Sequence, residues 1–283
     1  MSYDNESHQA DKSRGGTRNG SLVRVLRRLG GSDAVMALLA LLIIIVLWQL
    51  VVALLRPPTY IFPGPYDVLT SFLQFAGILG TEFIATATEV FGGFALAIAI
   101  GIPTAMVIAF IRPLARLLYP LIVTSQSVPI VAIAPVLLAW FGITYVTELL
   151  IVALIAVFPI IMNTTAGLLS FDPDMMVMAR STRANWLRIF WYVRFPGALP
   201  SILAGLKMAA TLSVIGAVVG EFVAGTSGVG YIILSAQGSL QMPLAFAGIA
   251  MLALFGIALF HAVEFVEHRL IPWHSSQRER ITA

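Results

Sequence analysis

The feature that most constrains this chain is a series of long apolar runs almost free of charge, such as ALLALLIIIVLWQLVVALL at 37–55. About 20 apolar residues cross the hydrocarbon layer of a bilayer as a helix. With no water there to bond the backbone, each run must close its hydrogen bonds within itself. Of the 283 residues, 59% are hydrophobic and 11% charged, a balance far too apolar for a soluble domain of this size. An all-α integral membrane protein is expected. Crossings are expected over 34–55, 82–111, 117–140, 148–169, 199–223 and 244–266, six in all. They define a six-span membrane domain over 34–268, between a polar tail at 1–33 and a short tail at 269–283.

Residues 1–20 read as disordered. Beyond them Leu22, Val25, Leu26 and Leu29 share a helical face against Arg24, Arg27 and Arg28, the pattern of a helix lying on anionic lipid. An even number of crossings puts both termini on one side. With that side cytoplasmic, all of the 17 Lys and Arg except Arg56 fall inside, as the positive-inside bias requires. The same bias accounts for the net charge of +3, so nucleic acid is not called for as a partner. No cysteine is present, which excludes disulfides and thiol chemistry. Between the first two crossings, Pro57, Pro58, Pro63 and Pro65 break the chain before a short amphipathic helix from Tyr66.

One inward-facing stretch, FDPDMMVMARSTRANWLRIFWYVRFPGALPSILAG at 171–205, concentrates Arg180, Arg183, Arg188 and Arg194 between nearly uncharged spans. Asp172 or Asp174 caps a helix near Pro173, and Pro196 with Gly197 is expected to stop it. Ala179, Arg183, Leu187 and Phe190 recur at helical spacing, so this helix lies across the membrane surface and presents a face to a partner. The alternative is a basic loop that only sets topology. In the third expected span, Pro129 and Pro135 interrupt an apolar run just after Gln126 and Ser127. Proline removes a helix hydrogen bond, so this span bends or breaks at membrane depth, either to line a cavity or simply to pack.

Two carboxylates lie on stripes of small residues. Glu89 leads to Gly93, Ala97, Gly101, Ala105 and Ala109, and Gly205, Ala209, Ser213 and Ala217 lead to Glu221, all at four-residue steps. Successive members lie about 40° apart around the axis, so each glutamate borders a close helix contact. The two spans run in opposite directions, which brings both acids to the outer end, as gate, substrate contact or structural hydrogen-bonding groups. Gly225, Gly228 and Gly230 form a turn after Glu221, but no Gly-x-x-x-x-Gly-Lys precedes either Lys12 or Lys207, so no nucleotide site is visible. His261, Glu264 and His268 share a face without the spacing of a zinc helix, and interfacial packing is the better account.

The stretch ARSTRANWLRIFWYVRFPGALPSILAGLK resembles the EAA loop, the coupling segment of the membrane subunit of ATP-binding-cassette importers. Ala179, Pro196-Gly197-Ala198-Leu199-Pro200 and Ala204-Gly205-Leu206 match, while Val177, Met178 and Arg183 stand where that pattern has Glu, Ala and Gly. QSVPIVAIAPVLLAWFG is similar to the pathway-lining segment of nitrate, sulfonate and taurine type permeases, and Gly228-Val229-Gly230-Tyr231 to their outer re-entrant turn. The resemblance implies six transmembrane helices with a cytoplasmic coupling helix, in a bacterial inner membrane. It implies a homodimer, two cytoplasmic ATPase chains that carry the ATP, and an extracytoplasmic substrate-binding protein. No cofactor and no catalytic residue are expected in this chain. Coupling then falls to Ala179, Arg180, Arg183, Ala184, Trp186, Leu187 and Arg188, and the path or gate to Gln126, Ser127, Pro129, Glu89 and Glu221. Glu89-Val90, Gly93-Phe94 and Gly220-Glu221-Phe222-Val223 look more like permeases for thiamine-precursor pyrimidines or riboflavin than like those for sulfonates, with a sulfonate, taurine or nitrate-type anion left open. The rival reading is a proton- or sodium-coupled carrier built on Glu89 and Glu221, against which stands the lack of an evident internal repeat.

Overall fold

The computed structural model describes residues 33–125, 128–170, 178, 181 and 185–272, within two units, Met1–Pro58 and Thr59–Ala283. All regular structure among the described residues is helical. The first unit contributes one helix, α1 (Asp33–Leu55), whose 38–55 stretch has a mean hydropathy of 3.1. The basic helix expected over 22–29, the tail after Pro272 with its Trp273, and Gln126, Ser127, Ala179, Arg180, Arg183 and Ala184 lie outside the described residues.

The second unit opens with α2 (Pro65–Gln74), close to the amphipathic helix expected from Tyr66. Its start is fixed by Asp67, whose Oδ2 accepts the Gly64 N–H at 3.0 Å. Then follow α3 (Ala76–Phe110), α4 (Arg112–Ser125), α5 (Ile130–Phe141) and α6 (Tyr145–Leu169). A helical turn, α7 (Trp186–Ile189), passes through a π turn (Phe190–Arg194) into α8 (Phe195–Ala224), and α9 (Val229–Gly238) and α10 (Met242–Leu270) complete the unit. Five helical stretches are long and apolar enough to cross a membrane: α1, α3, α6, the run from Leu187 through α8, and α10.

The interruption expected within 117–140 divides it into two helices, α4 and α5, each too short to cross alone. Pro129 sits extended (φ −68°, ψ 107°) immediately before α5. It cannot donate to a helix ladder, and it biases Val128 away from the helical region. One expectation changes: Pro196 and Gly197 do not stop the helix that runs into them, because the backbone stays helical from Trp186 to Ala224. The π turn explains this. The Phe195 N–H reaches back five residues to the Phe190 carbonyl, so the turn is already widened where the proline ring needs room. Leu187 and Phe190, expected on neighbouring positions of one apolar-and-basic surface, part company: Phe190 is buried and Leu187 exposed.

The centre of the second unit is α6, held between α3 and α8. Both small-residue stripes face it. Gly93 packs on Val152, Gly101 on Ile160, Gly205 on Asn163 and the Pro159 carbonyl, and Gly216 on the Val152 backbone. The alanines of the two stripes are buried. Small side chains let helix backbones approach closely, which is what drives association where lipid removes most of the hydrophobic contrast. Beside this contact α10 closes on α8 and α9 through Val214, Ala217, Val229, Ile233 and Leu252. At the α7 end, Phe190 packs at a tilt against Phe110 with ring centroids 4.5 Å apart and meets Trp191 edge-on at 5.2 Å.

Candidate functional site at the glutamate end

At the end of the bundle away from α7, four glutamates converge on the start of α9. Glu82, Thr86 and Glu89 follow one another at helical spacing on α3, Glu148 lies in the first turn of α6, and Glu221 in the last turn of α8. The glycine turn between α8 and α9 presents three consecutive N–H groups to them. Gly228 donates to Glu82 Oε2 at 2.6 Å, Val229 to Thr86 Oγ1 at 2.9 Å, and Gly230 to Glu221 Oε2 at 2.6 Å. Thr86 in turn donates its hydroxyl to Glu221 Oε1 at 2.5 Å. The first N–H groups of a helix have no partner inside it, and its N-terminus favours negative charge, so these side chains cap α9 from two other helices.

The glycines make this possible. Gly228 adopts φ +96°, a conformation side chains rarely take, and a methyl at Gly228 or Gly230 would collide with the Glu221 carboxylate. Glu221 is fully buried, and both its oxygens are engaged.

Glu89 is placed differently. It is 2% exposed, its Oε2 has no hydrogen-bond partner, and it borders a cavity of about 210 Å³ together with Thr88, Thr144, Tyr145, Glu148 and Ser227. The turn before α6 positions the far wall. The Thr147 hydroxyl donates to the Gly142 carbonyl at 2.7 Å, and Thr144 caps the helix by accepting the Thr147 N–H. The Tyr145 hydroxyl donates to the Thr88 carbonyl at 3.1 Å, which ties the two helices together across the cavity.

The structure thus gathers Glu89 and Glu221 at one end of the bundle, one facing a cavity and the other holding a turn. Pro129 stands exposed before α5. At the opposite end Leu187 and Arg188 border an open cavity of about 510 Å³ with Asn185, Trp191 and Tyr192. The Trp186 backbone begins α7, but its side chain is not among those described. Sequence reasoning overlooked Glu82, Thr86 and Glu148. The first two had a signal, since they precede Glu89 by seven and three residues on the face that carries the small-residue stripe. Glu148 was read only as the border of a span. Elsewhere Lys207 on α8 pairs with Glu267 on α10 at 2.6 Å, and His261 Nδ1 lies 2.8 Å from Glu264 Oε2.

Residues 97–272 match the family described as the binding-protein-dependent transport system inner membrane component. The chain belongs to that family. It is the membrane subunit of an ATP-binding-cassette importer, and the permease has several similar relatives. It is 36% identical over 238 residues to the riboflavin transport system permease protein RibX of Chloroflexus aurantiacus, covering 83% of this chain and 89% of that one. It is 32% identical over 237 residues to the formylaminopyrimidine transport permease protein ThiX of Halalkalibacterium halodurans, covering 83% and 94%. It is 29% identical over 241 residues to the taurine transport system permease protein TauC of Escherichia coli, covering 83% and 88%.

Proposed function

We propose that the permease acts as a homodimer in a bacterial inner membrane, with both termini cytoplasmic, two cytoplasmic ATPase chains docked on it and an extracytoplasmic binding protein delivering the solute. The observation that carries this reading is the unbroken helix from Trp186 to Ala224. One end bears an open surface of Leu187, Arg188, Trp191 and Tyr192, and the other bears Glu221 and the glycine turn. A rigid element of this kind carries a displacement at its ATPase-facing end to the far end of the bundle, and the π turn is where its angle can adjust. ATP is bound and hydrolysed on the partner chains, while the work of this chain is conformational. Pro129, just before α5, borders the path together with Gln126 and Ser127, as interrupted helices do in transporters. The solute is a small organic compound, a pyrimidine or riboflavin-like molecule in preference to a sulfonate.

Tyr192→Glu tests the docking surface. Tyr192 is 79% exposed, so the change leaves the fold of the permease intact while placing a like charge or an unpaired one against the partner. Yield of the permease should stay at the wild-type level, and co-purified ATPase and solute-stimulated ATP hydrolysis should fall about tenfold. Undiminished stimulation would remove this surface from the coupling role.

A further inference from the structure

We propose that the cavity between the starts of α3 and α6 is a subsite on the solute path that binds a positively charged or hydrogen-donating nitrogen group, an ammonium or amino-heterocycle, and turns anions away. The inference rests on the importer reading for its place on the path. The binding chemistry follows from the residues themselves.

Four glutamates share this end of the bundle, and no Lys, Arg or His is among the residues that line the cavity. Two of the four are already served: Glu82 and Glu221 accept N–H groups of the glycine turn. Glu89 and Glu148 remain, and both line the cavity. Glu89 is almost wholly buried and yet leaves Oε2 without a donor. Buried polar atoms in native structures nearly always have a partner, and an intramembrane acid without one is costly. Acidic side chains that share one small cavity repel unless a positive or proton-donating group stands with them. An ammonium or exocyclic amine supplies both the donors and the charge.

The remaining wall fits the same ligand. Tyr145, about half exposed, offers a ring face whose orientation is fixed by its hydroxyl bond to Thr88, and aromatic faces attract cations. The hydroxyls of Thr144 and Ser227 can accept further N–H groups. At about 210 Å³ the space is smaller than sites that enclose a drug-sized ligand, about 300–1,000 Å³, and suits one ring or one substituent. A sulfonate or nitrate would meet two carboxylates with no cation to offset them, and like charges brought together at a site are strongly disfavoured.

The test uses the purified full-length permease in lipid nanodiscs with three probes: aminomethylpyrimidine, methylpyrimidine and methanesulfonate. Saturation-transfer NMR should show saturable binding of aminomethylpyrimidine, weaker binding of methylpyrimidine and none of methanesulfonate. Glu89→Gln and Thr88→Lys should each weaken aminomethylpyrimidine at least tenfold, and Thr81→Lys, exposed on the same helix and outside the cavity lining, should not. Thr88 is exposed, so its variant keeps the fold even if Glu89→Gln does not. Aminomethylpyrimidine bound equally by wild type and Thr88→Lys would overturn the proposal, as would its displacement by sodium chloride at constant ionic strength, which marks an inorganic cation site. ATP-driven uptake of methanesulfonate by the assembled transporter would overturn it too while leaving the importer reading intact. Amine binding without any ATP-driven uptake would uphold the nitrogen site and sink the importer reading.

Discussion

Glu221→Leu should largely abolish recovery of folded permease from detergent, whereas Glu221→Gln should yield it at near the wild-type level. Leucine fills the space but accepts nothing, which leaves the Gly230 N–H and the Thr86 hydroxyl facing an apolar side chain at a fully buried position. An orphaned buried donor costs about 1–3 kcal/mol, and here the start of α9 also loses its negative cap. Relief of repulsion from the neighbouring glutamates offsets part of this. It does not restore the missing bonds, because only one side of each pair has been replaced. Glutamine keeps the network closed. Its oxygen accepts the Gly230 N–H, its amide donates to Thr86 Oγ1, and the Thr86 hydroxyl turns to the Glu82 carbonyl, already 3.3 Å away. Size-exclusion profiles and solute uptake of both variants check the point. An unchanged yield for Glu221→Leu would show that the cap is dispensable, and lost uptake with full yield in Glu221→Gln would place the charge itself on the path.

Gly93→Leu should be equally damaging, for a reason of packing rather than polarity. At Gly93 even a methyl would overlap the Val152 side chain, and the Leu149 carbonyl lies just beyond. Overpacking a core typically costs about 1–3 kcal/mol and more where backbones must separate. Here α3 would be forced off α6, the helix on which α8 also packs. Gly80→Leu, on the same helix with no atom within 4 Å of the added carbon, is the matched control and should leave thermal stability unchanged. Equal stability of the two variants would contradict the close α3–α6 contact.

Much of this architecture was legible in the chain. Long uncharged runs have one physical outcome in a bilayer, so the helices and their approximate limits followed from hydropathy alone. The four-residue stripes ending in Glu89 and Glu221 marked the tight helix contacts and the end at which both acids meet, because small residues at that period have no other common use in a membrane helix. What could not be read was which helix the stripes embrace. No four-residue stripe of small residues marks α6 as central: its buried positions mix Ile, Val and Ala with Thr147, Glu148, Thr164 and Thr165. The capping of α9 was hidden for a different reason. Glu82 and Gly228 are 146 residues apart in the chain, and a cap supplied from another helix leaves no local motif. The continuation of the helix through Pro196 was missed because a π turn is a feature of backbone register, for which side-chain type is a poor guide.

The most direct measurement of the central claim is the energy source of transport. The permease should be reconstituted into proteoliposomes, alone and together with a cognate ATPase and binding protein, and uptake of riboflavin, an aminopyrimidine and taurine followed under either ATP or an imposed proton or sodium gradient. The account predicts uptake only in the complete assembly, only with ATP on the ATPase side, and indifferent to the gradients. Gradient-driven uptake by this chain alone, abolished by Glu89→Gln, would contradict it and establish an ion-coupled carrier instead.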